Sequence, residues 1–158
     1  MAMSWRRRLE HLVRPLVFAH FRMKRSLTMG VRGFVTDAEG RVLLIEHTYV
    51  SGWHLPGGGV ERGETAEEAL ARELVEEVGV EIVGRAELVS THSNHAYFPN
   101  DHVLLYRVDQ WTACPATQKG EIARMDWFRL DSLPEGVTAG VRRRIEEAVS
   151  GAHPSPRW

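Results

Sequence analysis

The sequence predicts an α/β (α+β) domain, and three observations support this. Two helical patterns run from Thr65 to Val78 and from about Thr138 to Ser150. Apolar strand-like segments precede and follow the first of them. Strands, a helix, more strands and a final helix in this order favour a sheet with mixed pairing packed against helices. The length of 158 residues suits one domain with its own core.

Residues 1–25 differ in composition from the rest of the chain. They hold seven Lys/Arg and one glutamate, a net charge of +6, whereas the whole chain has −1. Their apolar residues follow a helical period, which predicts a basic amphipathic helix interrupted at Pro15. Three interpretations are open: packing on the domain or on a twin subunit, contact with a membrane surface, and an organelle-type presequence. We expect packing on the domain or in a homodimer.

The first strands are predicted as a hairpin. Segments 27–36 and 41–46 are apolar, and Asp37 to Gly40 has the Asp and Gly positions of a type I turn. A loop from His47 to Gly52 follows. Trp53 then has two interpretations, packing beside the glycine-rich segment or stacking on a nucleobase.

The first helix has clear start and stop signals. Thr65 and Glu68 form a capping box, and Gly79 is the expected C-terminal stop. Leu70, Leu74 and Val78 recur every four residues and predict a buried stripe. The predicted helix therefore occupies residues 65–78 and presents one narrow apolar side to the core.

Three glutamates share one side of this helix, beside the apolar stripe. Glu73, Glu76 and Glu77 are spaced i, i+3 and i+4, so their like charges repel. A hard divalent cation such as Mg²⁺ or Mn²⁺, held by oxygen ligands, would relieve this repulsion. The alternative is a solvated acidic helix face. The glycine-rich segment before the helix favours the metal site, because it lets backbone approach a ligand closely.

The second half of the chain is predicted as three strands, a specificity loop and a helix. Strands are expected at 81–91, 101–108 and 122–130, with loops at 92–100 and 111–120. On the first loop, Tyr97 could stack on a base or anchor the loop, and the His92/His95 pair lacks further zinc ligands. Arg142 to Arg144 are predicted on a solvated helix face, and residues 151–158 as a loose tail.

The stretch from Gly58 to Val80 resembles the Nudix box of the MutT-like hydrolases, Gly-x5-Glu-x7-Arg-Glu-U-x-Glu-Glu-x-Gly-U, in which U is a bulky apolar residue. Every defined position is filled, by Gly58, Glu64, Arg72, Glu73, Leu74, Glu76, Glu77, Gly79 and Val80. The lead-in from Trp53 is also similar to that of the family. The resemblance covers about residues 29–130. It divides the chain into the N-terminal helix (1–25), a hydrolase domain (26–150) and the tail (151–158).

This resemblance implies a fold and a reaction. The fold is an α/β/α sandwich around a mixed β-sheet, here with an extra N-terminal helix. The reaction is metal-dependent hydrolysis of a diphosphate linkage in a nucleoside diphosphate bonded to another group. The substrate classes left open are nucleoside triphosphates, dinucleoside polyphosphates, ADP-ribose and nucleotide sugars. The implied cofactor is Mg²⁺, with Mn²⁺ as an alternative.

The resemblance also implies roles for particular residues. The metal ligands would be the carbonyl of Gly58 and the carboxylates of Glu73, Glu76 and Glu77. Arg72 would orient the glutamates, and Glu64 would act behind them. The expected catalytic residues are Glu73, Glu76, Arg72 and Glu121, and the expected substrate-binding residues are Trp53, Gly58, Gly59 and Tyr97.

Glu121 is assigned partly on physical grounds. Carboxylates bound to a cation lose basicity, so a base on a separate element would stay able to accept a proton. Glu121 precedes the strand with Trp127 and Phe128, where the family often has a loop acid facing the metal helix. The alternatives are an exposed loop carboxylate at Glu121, and Asp126 as the base.

A rival function is a non-catalytic Nudix-like domain that binds a nucleotide for regulation. Such domains typically lose box glutamates, and this chain has all of them, which favours the enzyme. The near-zero net charge predicts no nucleic-acid partner. Cys114 is the single cysteine, which excludes an intrachain disulfide and fits a cytoplasmic protein.

Overall fold

The computed structural model describes residues 27–117 and 120–158, so the predicted helix at 1–25 lies outside the described residues. The elements are, in chain order, β1 (Thr28–Val35), β2 (Val42–His47), β3 (Trp53–His54), α1 (Ala66–Val78), β4 (Val80–Ile82), β5 (Glu87–Ser93), β6 (Asp101–Val108), β7 (Trp111–Ala113), β8 (Ile122–Phe128) and α2 (Ala139–Ser150). The predicted α+β class and mixed pairing are confirmed.

The strands form three groups. One sheet has the order β1–β6–β5, with β1 and β6 parallel and β5 antiparallel to β6. A second sheet has the order β3–β2–β8, and β4 pairs with β7 in a two-stranded ribbon. The mixed pairing is therefore confined to the first sheet.

The predicted hairpin of β1 and β2 is wrong, although its turn is present. The Gly40 N–H donates to the Asp37 carbonyl at 3.0 Å, as the turn requires. Beyond one isolated bridge between Thr36 and Val42, however, the strands separate into different sheets. The reason is that both edges of β1 are already occupied, one by β6 and the other by the glycine-rich segment.

The segment predicted as one strand at 81–91 divides into β4 and β5. Gly84 has a φ of 81°, a left-handed conformation that redirects the chain between them. β4 then pairs with β7, which lies in the segment expected to be loop. The Trp111 indole N–H on β7 donates to the Thr36 carbonyl at 2.8 Å, and this contact ties the ribbon to the end of β1.

Two hydrophobic clusters place the helices on opposite sides of the sheets. The α1 side chains pack with Val31 and Leu104, whereas those of α2 pack with Phe34 and Leu105. Adjacent residues of a strand point to opposite faces, so Leu104 and Leu105 mark the two faces of β6. The arrangement agrees with the expected α/β/α layering.

Two expectations for the C-terminal region are wrong. Arg144 is not solvated: it is 1% exposed, because its position at i+3 from Val141 turns it into the core. Its guanidinium donates to Glu147 at 2.7 Å and to the Arg157 carbonyl at 3.1 Å. The tail is not loose either: the N–H groups of Ser93 and Trp158 bond to Pro156 and Ser93 carbonyls at 2.8 and 3.0 Å. The tail therefore extends the sheet beyond β5.

Within the part of the chain that the structure describes, no helix is both long and apolar enough to span a membrane.

The buried Arg144 gives a stability prediction. We expect Arg144→Met to lower the free energy of unfolding by about 3 kcal/mol, because it leaves the carboxylate of Glu147 without its buried partner. The matched control is Arg142→Met, which changes an exposed arginine on the same helix and should leave stability nearly unchanged. Urea unfolding measures both, and equal midpoints for the two variants would contradict the buried role.

Candidate active site

The glycine-rich segment is fixed along the edge of β1. The N–H groups of Val31 and Gly33 donate to the carbonyls of Gly58 and Pro56, both at 2.9 Å. The Val60 N–H completes the pairing by donating to the Met29 carbonyl at 2.9 Å. Gly57 has a φ of 131°, and a Cβ there would overlap the Val31 carbonyl, so only glycine fits.

Helix α1 begins and ends as the sequence predicts. The Thr65 hydroxyl accepts from the Glu68 N–H at 3.2 Å, and Glu68 accepts from the Thr65 N–H at 2.7 Å. Gly79 ends the helix in the left-handed conformation. Leu70, Leu74 and Val78 are all buried, and this rotational setting turns the glutamates toward the glycine-rich segment.

Arg72 is the hub of the site. Its Nε and Nη2 donate to the two carboxylate oxygens of Glu64 at 2.9 and 3.1 Å, and its Nη1 donates to Glu73 at 2.7 Å. Nη2 also donates to the Gly59 carbonyl at 3.0 Å, and Nη1 donates to Glu76 at 3.4 Å. The hydrogen bonds from Arg72 to Glu64 hold the pKa of Glu64 below its ordinary value. Glu64 thus orients Arg72, a role for which the sequence offered no physical reason.

Gly58 contributes through its missing side chain. A Cβ at this position would lie 2.5 Å from the Glu73 carboxyl carbon, whereas one at Gly59 would meet nothing within 4 Å. The Gly58 carbonyl, predicted as a metal ligand, accepts from the Val31 N–H in the pairing with β1. Close contact between Glu73 and backbone therefore requires glycine at position 58 but not at position 59.

Glu77 differs from the other two glutamates in its surroundings. It is 8% exposed, and its Oε2 accepts from the Gly57 N–H at 2.8 Å. Burial raises the pKa of Glu77 to about 7, although this hydrogen bond and Arg32 both act to lower it. The neighbouring charges of Glu73 and Glu121 raise it further.

Arg32 is a site residue that the sequence reasoning missed. It lies on β1, and its Nη1 donates to the carbonyls of Leu55 at 3.3 Å and Gly57. Burial lowers its pKa, and the charges of Glu77 and Glu73 oppose that effect. A single arginine within the apolar run from Val31 to Val35 was the available signal.

The loop after β2 brings Glu121 to the same region. The Thr48 N–H donates to the Glu121 carbonyl at 2.8 Å. Tyr49 lies on this loop; burial first, and then the charges of Glu121 and Glu77, raise its pKa. Burial, with Arg32 nearby, lowers the pKa of His47 to about 4, so its ring is neutral at pH 7. The structure thus gathers Glu121, Tyr49 and Glu77 from three separate segments.

The two predicted substrate-binding aromatics differ in exposure. Trp53 is 6% exposed and packs edge-on against Phe128 at a centroid distance of 4.8 Å. Its burial contradicts a base-stacking role and agrees with the packing alternative. Tyr97 is 74% exposed on the loop between β5 and β6.

The two histidines of the His92/His95 pair make separate contacts. His92 is fully buried, with Nε2 2.7 Å from the Ser90 hydroxyl. His95 instead accepts from the Asn100 N–H at 3.1 Å.

The residues fit a hard divalent cation by donor type. Glu73, Glu76 and Glu77 offer carboxylate oxygens from one helix, beside the space left by Gly58. Among the described residues, however, no three His, Cys, Asp or Glu side chains converge as a ready metal cage. Glu73 accepts from Arg72 through Oε1 and Glu77 accepts from the Gly57 N–H through Oε2, so each carboxylate keeps its other oxygen for a cation.

Comparison with known proteins agrees with this geometry. The model of the NUDIX domain matches residues 26–148. A MutT-like protein of Streptomyces ambofaciens is 30% identical over 130 residues, covering 82% of each chain. An NAD-capped RNA hydrolase, NudC, of Klebsiella pneumoniae is 34% identical over 69% of this chain, which spans only 43% of that protein. The crystal structure of a MutT NUDIX hydrolase from Burkholderia pseudomallei superposes with a TM-score of 0.65, at 29% identity over 77% of this chain and 97% of that one.

The raised pKa of Glu77 predicts how the stability of the metal-free protein depends on pH. Its folded pKa of about 7 exceeds the ordinary glutamate value of 4.5, so folding favours the protonated form. The resulting stabilisation is complete below pH 4.5 and is lost as the pH rises through 7. We expect a loss of up to about 3 kcal/mol between pH 4.5 and 8, since one pKa unit corresponds to about 1.4 kcal/mol.

The measurement is urea unfolding at pH 5 and pH 8 in the presence of a chelator. Glu77→Gln should flatten the pH dependence and be the more stable protein at pH 8. Glu76→Gln, at a more exposed position of the same helix, should leave the slope as it is. An unchanged slope in Glu77→Gln would refute the assignment.

Proposed function

The chain belongs to the NUDIX family, and we propose that it hydrolyses the diphosphate linkage of a nucleoside diphosphate bonded to another group, with Mg²⁺ or Mn²⁺. The observation that supports this most is the Arg72 hub, which fixes Glu64 and Glu73 beside Gly58. Box residues arranged around one arginine are explained by catalysis better than by an acidic surface.

We propose that Glu73, Glu76, Glu77 and the Gly58 carbonyl hold the cation. When bound, it would neutralise phosphate oxygens and acidify a water molecule. Arg72 holds Glu73 in position, and Gly58 leaves room for it. Arg32, whose charge interacts with Glu77 and Glu73, adds a positive charge that favours an anionic diphosphate.

The proton acceptor in this proposal is Glu121. The Thr48 N–H donates to the backbone carbonyl of Glu121, and the charge of Glu121 raises the pKa of both Tyr49 and Glu77. A carboxylate outside α1 can stay basic while those on α1 are committed to a cation. Glu121 and Asp126 are both exposed, but Asp126 accepts from the Trp127 N–H on β8, and it is the charge of Glu121 that acts on Glu77.

The rival function is nucleotide binding without turnover. Every box glutamate is present. Arg72 contacts Glu64, Glu73 and Glu76, and Glu77 accepts from the Gly57 N–H, so the enzyme is favoured. Of the relatives named above, only the NAD-capped RNA hydrolase has a substrate in its name, so the proposal stays at the level of a nucleoside diphosphate bonded to another group. We further propose a cytoplasmic protein, for which the single Cys114 is the supporting observation.

A panel of nucleotides tests the proposed reaction. We expect hydrolysis with Mg²⁺ or Mn²⁺ and its loss with a chelator, because oxygen ligands without a Cys/His cage suit hard cations. Phosphate and mononucleotide release are measured by chromatography. If nucleotides bind but no metal supports their turnover, the rival function is established.

A matched pair of glycine variants links that activity to the site. Gly58→Ala should lower turnover by about 100-fold, since a small displacement of a catalytic group can cost that much. Gly59→Ala is the comparison variant: its added methyl meets no neighbour within 4 Å, so a larger loss in Gly58→Ala isolates the contact with Glu73. Equal activity of the two variants would show that the contact between Gly58 and Glu73 is unimportant.

The role of Glu121 is tested separately. Loss of a general base lowers turnover by about 10²–10⁴-fold, so Glu121→Gln should do so with little change in substrate affinity. Asp126→Asn should behave like the wild type. A loss that excess Mg²⁺ partly reverses would make Glu121 a metal ligand, whereas wild-type rates would remove it from the site.

A further inference from the structure

The face of the first sheet that packs against α1 is only partly covered. Met29 and Val31 of β1 point to this face, because alternate residues of a strand share a face, and Val31 pairs there with Leu104 of β6. Leu104 in turn pairs with Thr91 of β5. Val31 and Leu104 are buried with the α1 side chains, whereas Met29 is 45% exposed and Thr91 is exposed. The cover on this face therefore ends before β5 and before the start of β1.

The uncovered residues are contiguous, and we call them the open strip. Met29 pairs with His102, and His102 pairs with Ser93, so the strip crosses the sheet at the start of β1 and then follows β5. Leu88 is 50% exposed, although Tyr106, its partner on β6, is buried. The members of the open strip are Leu27, Met29, His102, Ser93, Thr91 and Leu88. Contiguous exposed apolar side chains mark interaction sites more often than scattered ones do.

The part of the chain that leads into α1 borders the open strip at both of its ends. At the start of β1, the Val60 N–H donates to the Met29 carbonyl at 2.9 Å. At the other end, Glu67 in the first turn of α1 lies near Tyr106, whose pKa is raised by burial and then by the charge of Glu67. Residues 60–67 therefore pass over β1 and β6, and the open strip is the area that they leave uncovered.

The segment before β1 joins the chain at the open strip. Residues 1–26 lie outside the described residues, and Leu27, the first described residue, is 65% exposed at the start of the strip. Beyond Pro15 the segment holds three large apolar residues at helical spacing, Leu16, Val17 and Phe21. A helix that starts at Pro15 would carry them on one side, because proline is tolerated in the first turn of a helix. An apolar segment thus adjoins an apolar surface along the chain.

The segment is long enough to reach β5. Two strand spacings, roughly 10 Å, separate Met29 on β1 from Ser93 on β5. Residues 22–26 can span up to about 17 Å when they are extended. Phe21 can therefore stand over β5 while Leu27 remains at the start of β1.

Charge favours the same segment. Residues 1–25 carry a net charge of +6. The exposed charged residues that border the strip between Val60 and α1 or in its first turn are Glu61, Arg62, Glu67 and Glu68. Arg85 pairs with Glu67 at 3.0 Å, but within the described residues neither Glu61 nor Glu68 forms an ion pair. The basic segment can therefore complement an acidic border.

We propose that residues 15–26 cover the open strip of their own chain, with their apolar side against Leu88 and Thr91. The residues after Phe21 pass over Met29 on their way to β1. Because the segment is tethered beside the strip, its effective concentration there is about millimolar, above that of a second copy in dilute solution. The covering needs neither a metal nor a nucleotide, so it is independent of the proposed reaction.

Limited trypsin digestion of the full chain tests the covering, because trypsin cleaves after Arg22, Lys24 and Arg25 only when the segment is released. We expect Leu88→Glu to speed this cleavage by about tenfold, the factor for the lost burial of one leucine side chain. The matched control is Val149→Glu, which changes an exposed apolar residue of α2 outside the strip and should leave the rate unchanged. Equal rates in the wild type and Leu88→Glu, or equal acceleration in both variants, would overturn the proposal.

Cross-linking distinguishes the segment from the other two occupants of the strip, a second copy and a membrane. A full-length variant with Val17→Cys, Leu88→Cys and Cys114→Ser is treated with a short bismaleimide in dilute solution, and a cross-linked monomer is the expected product. Val149→Cys in place of Leu88→Cys is the control and should stay unlinked. A cross-linked dimer would assign the strip to a second copy, and the absence of any link would remove the segment from it. Binding of the wild type to phosphatidylserine vesicles at physiological salt would assign the segment to a membrane surface instead.

Discussion

The site depends on the backbone pairing between the glycine-rich segment and β1. Three hydrogen bonds along that edge fix residues 56–60 against the sheet, and the capping of α1 then sets the rotation of the helix. Because Leu74 contacts β1 at Gly33, the same strand positions both the loop and the helix. The glycine-rich segment lies beside the glutamates because it pairs with this edge of β1. That edge is therefore not open to β2, which belongs to another sheet.

Arg72 links the side chains of the site to the glycine-rich segment. One guanidinium contacts Glu64 before the helix, Glu73 on the helix and the Gly59 carbonyl of the loop. A lysine would provide one point charge, whereas the planar fork of arginine can satisfy a bidentate carboxylate and a carbonyl together. This explains why an arginine occupies the position and why Glu64, eight residues earlier, belongs to the same unit.

The features that the sequence predicted correctly are local ones. The capping box, Gly79 and the apolar stripe of α1 act within a few residues, and each is present. The pairing of β1 with β6 joins residues 73 positions apart, and no local pattern distinguishes it from a hairpin. The burial of Arg144 was visible in its spacing from Val141 and Ile145, but three consecutive arginines suggested a solvated face. The approach of Arg32 and Glu121 to Glu77 likewise requires the tertiary fold.

Charge explains how the cluster can exist in a folded protein. Glu64, Glu73, Glu76 and Glu77 are four acids, against which Arg72 and Arg32 provide two positive charges. Without a cation, burial favours the protonated form of Glu77. A divalent cation would match the two charges that remain when all four carboxylates are ionised, and it would favour the ionised form of Glu77. Cation affinity should therefore rise with pH through the range in which Glu77 titrates, because binding must displace that proton.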